Sequence, residues 1–187
     1  MRSKIYFSNN VNKIYFNSIL YTIMLYFAYG SNMNEKSLVE RLPNNSFRFI
    51  DYGYLLNYIF RYRCRKIKSG KNKTAGNIEP RIGSRVYGFV IDVDNSVINI
   101  LDKYEKFVHM DNKDNVYHKL FDMSIISYKN PNKTYKCYLY YMNPLVIDKN
   151  AIPKPSKEYV NRLYSSLQQI ENPPKYHISR ILSASDN

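Results

Sequence analysis

The sequence predicts a single α+β domain, a mixed β-sheet or barrel with a few short helices. Three observations carry this. The chain has 187 residues, which is close to one domain at roughly 150 residues each. Short aromatic or alternating runs bounded by Gly, Pro and Asn recur along it, as strands do. Apolar residues at helical spacing are confined to short stretches, and no repeat, heptad or sustained βα alternation organises the chain.

Residues 1–24 carry basic but no acidic side chains and scatter Asn among apolar positions. The mostly apolar stretch 14–29 is interrupted by Asn17, Ser18 and Thr22, so it falls short of the roughly 18 apolar residues of a membrane span. It also lacks the small-residue cleavage site of a signal peptide. These residues read as a poorly ordered extension, with Met24 an alternative start and residues 25–187 forming the domain. No membrane association and a cytoplasmic location are expected.

Residues 25–29, LYFAY, form a short apolar strand that runs into the turn Gly30-Ser31-Asn32. Residues 34–42 form a helix capped by Asn34 or Asn32 and stopped by Pro43. Residues 52–63 are aromatic and β-branched, hence a strand. A basic turn around Gly70 spans 66–74, and 85–93 alternate as a further strand after Gly83-Ser84. Asp94 caps a helix over 94–104 whose apolar stripe is Val97, Ile98, Leu101 and Tyr104. Residues 117–128 and 133–142 pair as strands through the turn Asn130-Pro131-Asn132. After Pro153 and Pro155, residues 156–170 form a helix with Val160, Leu163, Tyr164 and Leu167 on one stripe. Pro173-Pro174 ends it.

The charge balance, 28 basic against 15 acidic residues for a net +13, suggests polyanion binding. It travels with 22 Asn, 19 Ile, 18 Lys and 20 Tyr and no Trp, the mark of AT-rich codons, so much of it is compositional. Hydrophobic residues at 44% and charged residues at 23% exclude a mainly disordered chain. Cys64 and Cys137 are too few for a disulfide scaffold or a Cys-rich zinc module.

The catalytic inventory is short. His109, His118 and His177 are isolated, and no His/Cys/Asp cluster has metal-ligand spacing. Neither a Gly-x-Ser-x-Gly elbow nor a phosphate loop is present. Cys64 lies among Arg61, Arg63, Arg65 and Lys66, without a His partner. Two features remain. YFAYGSNM (26–33) is a strand that ends in Gly-Ser-Asn, where consecutive backbone N–H groups can receive a carboxylate or an oxyanion. An ordinary turn is the alternative. Glu105 follows LDKY at a helix end, with Tyr104, Phe107 and Val108 as apolar neighbours that would raise its pKa. A surface carboxylate is the alternative there.

These segments, with GNIEPRIGSRVYGFVIDV (76–93), LDKYE (101–105) and KCYLYY (136–141), occur in the order in which the gamma-glutamylcyclotransferase family carries them. The chain resembles that family from about residue 25 to 170. The resemblance implies that 5-oxoproline is formed from a small γ-glutamyl substrate, with Glu105 as proton-transfer residue. Substrate contacts would come from Tyr26, Phe27, Ala28, Tyr29, Gly30, Ser31, Asn32 and Tyr138. It implies no metal and no cofactor, and it leaves a homodimer open. One departure stands out: the family often has glycine after the glutamate, where this chain has Lys106-Phe107. Two other readings are a non-catalytic binding module of the same fold and a basic single-stranded nucleic-acid binder. The second would use Arg61–Lys73 with Tyr58, Phe60 and Tyr62 interleaved.

Because the resemblance starts at residue 25, a chain beginning at Met24 is expected to fold and melt like the full-length one. Loss of soluble expression on that truncation would show that residues 1–23 pack on the domain.

Overall fold

Five strands close into a barrel in the order β1-β3-β2-β4-β5. The computed structural model describes residues 25–67 and 72–183, so the extension read over 1–24 lies outside the described residues. Strand β1 (Leu25–Ala28) is wedged between two others. It runs antiparallel to β3 (Asn72–Val93), with Ala28 opposite Phe89. It runs parallel to β5 (Thr134–Met142), with Tyr26 opposite Tyr138. Strand β2 (Phe47–Lys66) pairs with β3 along almost its whole length, and β4 (Tyr117–Ser127) pairs with β2 and β5. Phe27, Leu55, Val90, Ile91, Ile125 and Leu139 are all buried in one core, the adjacent Val90 and Ile91 because both faces of β3 are covered there.

The single α+β domain with a closed mixed sheet is the architecture expected. Its largest departure is the β2–β3 hairpin. The basic turn expected over 66–74 is narrower at its described flanks, where Lys66 pairs with Asn72, Arg65 with Lys73 and Cys64 with Thr74; residues 68–71 lie outside the described residues. β3 therefore starts at Asn72 and not near residue 85. Register shifts at Phe49/Asp51 and Leu56/Tyr58 bend the ribbon. At the second shift Asn57 and Gly83 both take positive φ, and Gly83 donates its N–H to Asn57 Oδ1. The bend carries the outer hairpin under the C-terminal helices. Phe60 and Tyr62 are buried there, and the Tyr62 hydroxyl donates to the Ile181 carbonyl. These rings are core, not a stacking face for bases.

The helices are short. α1 (Glu35–Val39) follows a 3₁₀ turn, Ser31–Met33, and Asn34 caps it by accepting from the Ser37 N–H. α2 (Ile98–Tyr104) follows a second 3₁₀ turn at Asn95–Val97. Asp94 makes no side-chain cap there, contrary to expectation. α3 (Lys157–Leu167) is capped by Ser156 and buries Val160, Leu163 and Leu167, while Tyr164 points outward. Beyond Pro173-Pro174 the chain forms α4 (Lys175–Leu182), which no local pattern announced. No described helix is long and apolar enough to cross a membrane.

Gly88 is required by the crossing of β1 and β3. A Cβ there would lie 2.2 Å from the Ala28 carbonyl oxygen, which is backbone and cannot turn aside. Gly88→Ala is expected to cost about 1–3 kcal/mol, the range for overpacking a core. A urea midpoint equal to that of the parent chain would contradict this.

Candidate active site

The site is assembled where β1 ends. Tyr26 is the second residue of that strand, and Gly30 then leads into the 3₁₀ turn. The first bond of this turn is donated by Met33 to the Gly30 carbonyl, so the Ser31 and Asn32 N–H groups precede it and are not used within it. Gly30 itself has φ −119°. That lies outside the left-handed region that favours glycine.

Glu105 arrives from the other side, as the residue that ends α2. The helix closes with two reverse bonds, Lys106 N–H to the Lys103 carbonyl and Phe107 N–H to the Asp102 carbonyl. That pattern needs a left-handed residue after the cap, and Lys106 supplies it with φ 53°. A lysine thus takes the backbone conformation that glycine would adopt with less strain, at a cost of about 1–2 kcal/mol. The turn survives the departure from glycine.

Asn32 joins the two elements. Its amide nitrogen donates to the Tyr26 hydroxyl at 2.9 Å and to Glu105 Oε1 at 3.2 Å. Its amide oxygen accepts from Arg41, which also donates to the Ser31 hydroxyl. The Arg41 guanidinium stacks 4.2 Å over the Tyr104 ring. Burial pushes the Glu105 carboxyl above the ordinary carboxylate range, and Arg41, the Asn32 hydrogen bond, Lys73 and Arg65 draw it partly back. Burial, helped by the nearby Glu105 charge, also lifts the Tyr26 and Tyr117 hydroxyls, which stay protonated.

An inner cleft of about 40 Å³ is lined by Tyr26, Tyr29, Gly30, Ser31, Asn32, Gly76, Glu105, Tyr117, Tyr140 and Tyr159. Six of the nine residues singled out in the sequence therefore meet there. Phe27, Ala28 and Tyr138 do not. Phe27 and Ala28 are fully buried in the barrel. Tyr138 stacks behind Tyr26, with ring centroids 5.2 Å apart, and its hydroxyl is buried without a partner. The wall residue from β5 is instead Tyr140. It shares the face of Tyr138 two residues on, a choice that period two leaves open. The Tyr140 hydroxyl donates to Asp102 at 2.6 Å, and Asp102 pairs with the buried Lys119 at 2.5 Å.

Gly76, Tyr117 and Tyr159 were not found from sequence. The Gly76 N–H donates to the Tyr159 hydroxyl at 3.0 Å, and a Cβ at Gly76 would strike the Phe60 ring at 2.6 Å. The neighbours expected to bury Glu105 also differ. Tyr104 and Val108 are exposed, and tyrosines from β1, β4 and α3 line the cleft beside the half-buried Glu105 instead. Among the described residues, no group of three or more His, Cys, Asp or Glu side chains is placed to hold a metal ion.

A family model described as Gamma-glutamyl cyclotransferase, AIG2-like matches residues 26–161. Comparison with curated proteins gives no match. Solved structures similar to the chain include one titled Gamma-glutamyl cyclotransferase, at TM-score 0.67 and 21% identity, over 82% of this chain and 83% of that one. An uncharacterized Homo sapiens protein follows at 0.64 and 22%, over 82% and 83%. YkqA from Bacillus subtilis matches at 0.62 and 17%, over 88% of this chain and 54% of its own.

A carboxyl raised by burial lowers stability as pH climbs from the ordinary glutamate value through the raised one, because the unfolded chain releases its proton first. Glu105→Gln keeps the acceptor for Asn32 and removes that cost. The variant is expected to melt above the parent at about pH 8, with the gap closing toward about pH 4. An equal gap at both pH values would show that the carboxyl is not shifted.

Proposed function

Because this chain belongs to the gamma-glutamyl cyclotransferase, AIG2-like family, we propose that it cleaves γ-glutamyl amines to 5-oxoproline and the free amine. The observation that carries this reading is Glu105. It is the one acidic residue among those lining the inner cleft, held by Asn32 and flanked by tyrosines.

The substrate's α-nitrogen attacks its own γ-carbonyl carbon. A C–N bond forms to close the five-membered ring, and the γ-amide C–N bond then breaks. Nucleophile and electrophile share one molecule, so the cleft mainly has to hold the substrate folded in a near-attack shape. Two protons pass from the α-ammonium nitrogen to the departing nitrogen, which leaves as an ammonium group. One carboxylate can carry them in turn if its pKa lies nearer neutrality than that of a free glutamate. Burial of Glu105 acts in that direction.

Asn32 keeps the carboxylate aimed into the cleft, and Tyr26, protonated and in reach of the same amide, offers a hydroxyl. The tetrahedral intermediate carries an oxyanion and the substrate an α-carboxylate. The backbone N–H groups of residues 29–31 are the donors we assign to one of these anions. No cofactor enters any of these steps.

Glu105→Gln tests the reading directly. Glutamine retains the shape and the hydrogen bond but accepts no proton, so 5-oxoproline formation should fall by about 10²- to 10⁴-fold. The melting curve should still show a folded protein. A folded variant with near-normal turnover would exclude Glu105 as the proton carrier.

A further inference from the structure

Beyond the inner cleft lies a wider basin of about 540 Å³, and Ser31, Glu105, Tyr117 and Tyr159 line both. The two are therefore continuous past the Glu105 carboxylate. A volume in this range holds a ligand of drug size, well beyond what a glutamyl group needs. The basin's charge is one-sided: Arg41, Arg65, Lys73, Lys154 and Arg162 line it, against Glu105 and Glu158.

Two of these cations are already engaged. Arg162 pairs with Glu158 at 2.7 Å and donates to the Ser37 hydroxyl, while Arg41 is committed to Asn32 and Ser31. Arg65, Lys73 and Lys154 have no ion pair and no side-chain hydrogen bond among the described residues. Arg65 and Lys73 are also directly opposite each other across β2 and β3. Like charges facing each other in a ladder destabilise it, and among the described residues neither side chain has an ion-pair partner to offset the other. Their charge nonetheless reaches the site, because both lower the Glu105 carboxyl.

We propose that this basin receives the departing half of the substrate, and that this half is an acidic amino acid or peptide carrying two or more carboxylates. The inference rests on the cyclotransferase reading for the inner cleft. With the glutamyl group seated there, the amide nitrogen lies at Glu105 and the rest of the substrate continues into the basin. Its carboxylates would meet Arg65, Lys73 and Lys154, and would relieve the repulsion between the first two. A neutral leaving amine would leave that repulsion standing, so selectivity arises from both attraction and its absence. Because the basin is open to solvent, its contribution is screened by salt.

The test compares 5-oxoproline release from γ-glutamyl-Asp-Asp and from γ-glutamyl-Asn-Asn-amide, two conjugates of matched size. At low salt, kcat/KM should favour the acidic conjugate by about tenfold or more. The ratio should fall toward one in an Arg65→Gln/Lys73→Gln double variant and as salt is raised. A ratio near one for the parent chain, or one that the double variant leaves unchanged, overturns the proposal. Both side chains sit on the sheet surface, and melting of the double variant shows whether the fold is kept. No product from any γ-glutamyl compound would instead overturn the cyclotransferase reading. The basin is then tested by calorimetric binding of free Asp-Asp. Binding that the double variant weakens by about tenfold upholds an acidic ligand, and no binding by the parent chain rejects it.

Discussion

A buried side-chain amide must find partners for its donors and its acceptor, and Asn32 finds them on three different elements. It is 3% exposed. Its two donated bonds reach Tyr26 on β1 and Glu105 at the end of α2, and its oxygen takes the guanidinium just past α1. Losing one of these would leave a polar atom stranded away from water, at about 1–3 kcal/mol. The separation of strand end, helix end and carboxylate is therefore set by one residue. This is why a carboxyl that burial disfavours can still be held in place.

The barrel supplies the second support from behind. Lys119 is almost fully buried, pairs with Asp102, and lies within 5.2 Å of the Phe107, Tyr138 and Tyr140 ring centroids. Asp102 in turn accepts from the Tyr140 hydroxyl, and the Tyr29 hydroxyl donates to the Tyr140 carbonyl. Strands β4 and β5 are thus pinned to α2 one turn before Glu105. A buried ion pair of this kind contributes little net stability, since desolvation offsets its Coulomb gain. It does fix the angle at which the helix end meets the cleft. The Schellman turn that follows is closed by its own backbone bonds, with Lys106 in a left-handed conformation.

Charge in this molecule separates into background and placement. A net +13 follows the codon bias of the whole chain and says little by itself. Placement says more. Arg61 and Arg63 share Glu79, and Arg48 pairs with Asp92, so each of these cations has a carboxylate partner on the sheet surface. Arg65 and Lys73 are on the same hairpin yet have no such partner among the described residues, and they line the basin beside Glu105. The same field that would attract an acidic ligand also limits how far the Glu105 carboxyl can rise.

What was legible in the sequence was local. YFAYGSNM shows a strand ending in a turn because its apolar run stops at Gly-Ser-Asn. LDKYE shows a helix end, Asn34 declares a cap, and Asn130-Pro131-Asn132 declares a hairpin. All of these follow from the chemistry of a few consecutive residues. Tyr140, Tyr117 and Tyr159 enter the site only because barrel closure brings β5, β4 and α3 to the end of β1, and nothing near them in the chain encodes that meeting. The outer β2–β3 hairpin escaped for a related reason: residues 72–84 are polar and Gly-rich, and only pairing with β2 and cover from α3 and α4 make them strand. The sequence by itself determined the single mixed α+β domain, the loop after β1 and the carboxylate at the end of α2. Tertiary structure decided which tyrosines line the cleft at that carboxylate and which cations line the basin beside it, because both depend on strand register and closure, and these contacts join residues far apart in the chain.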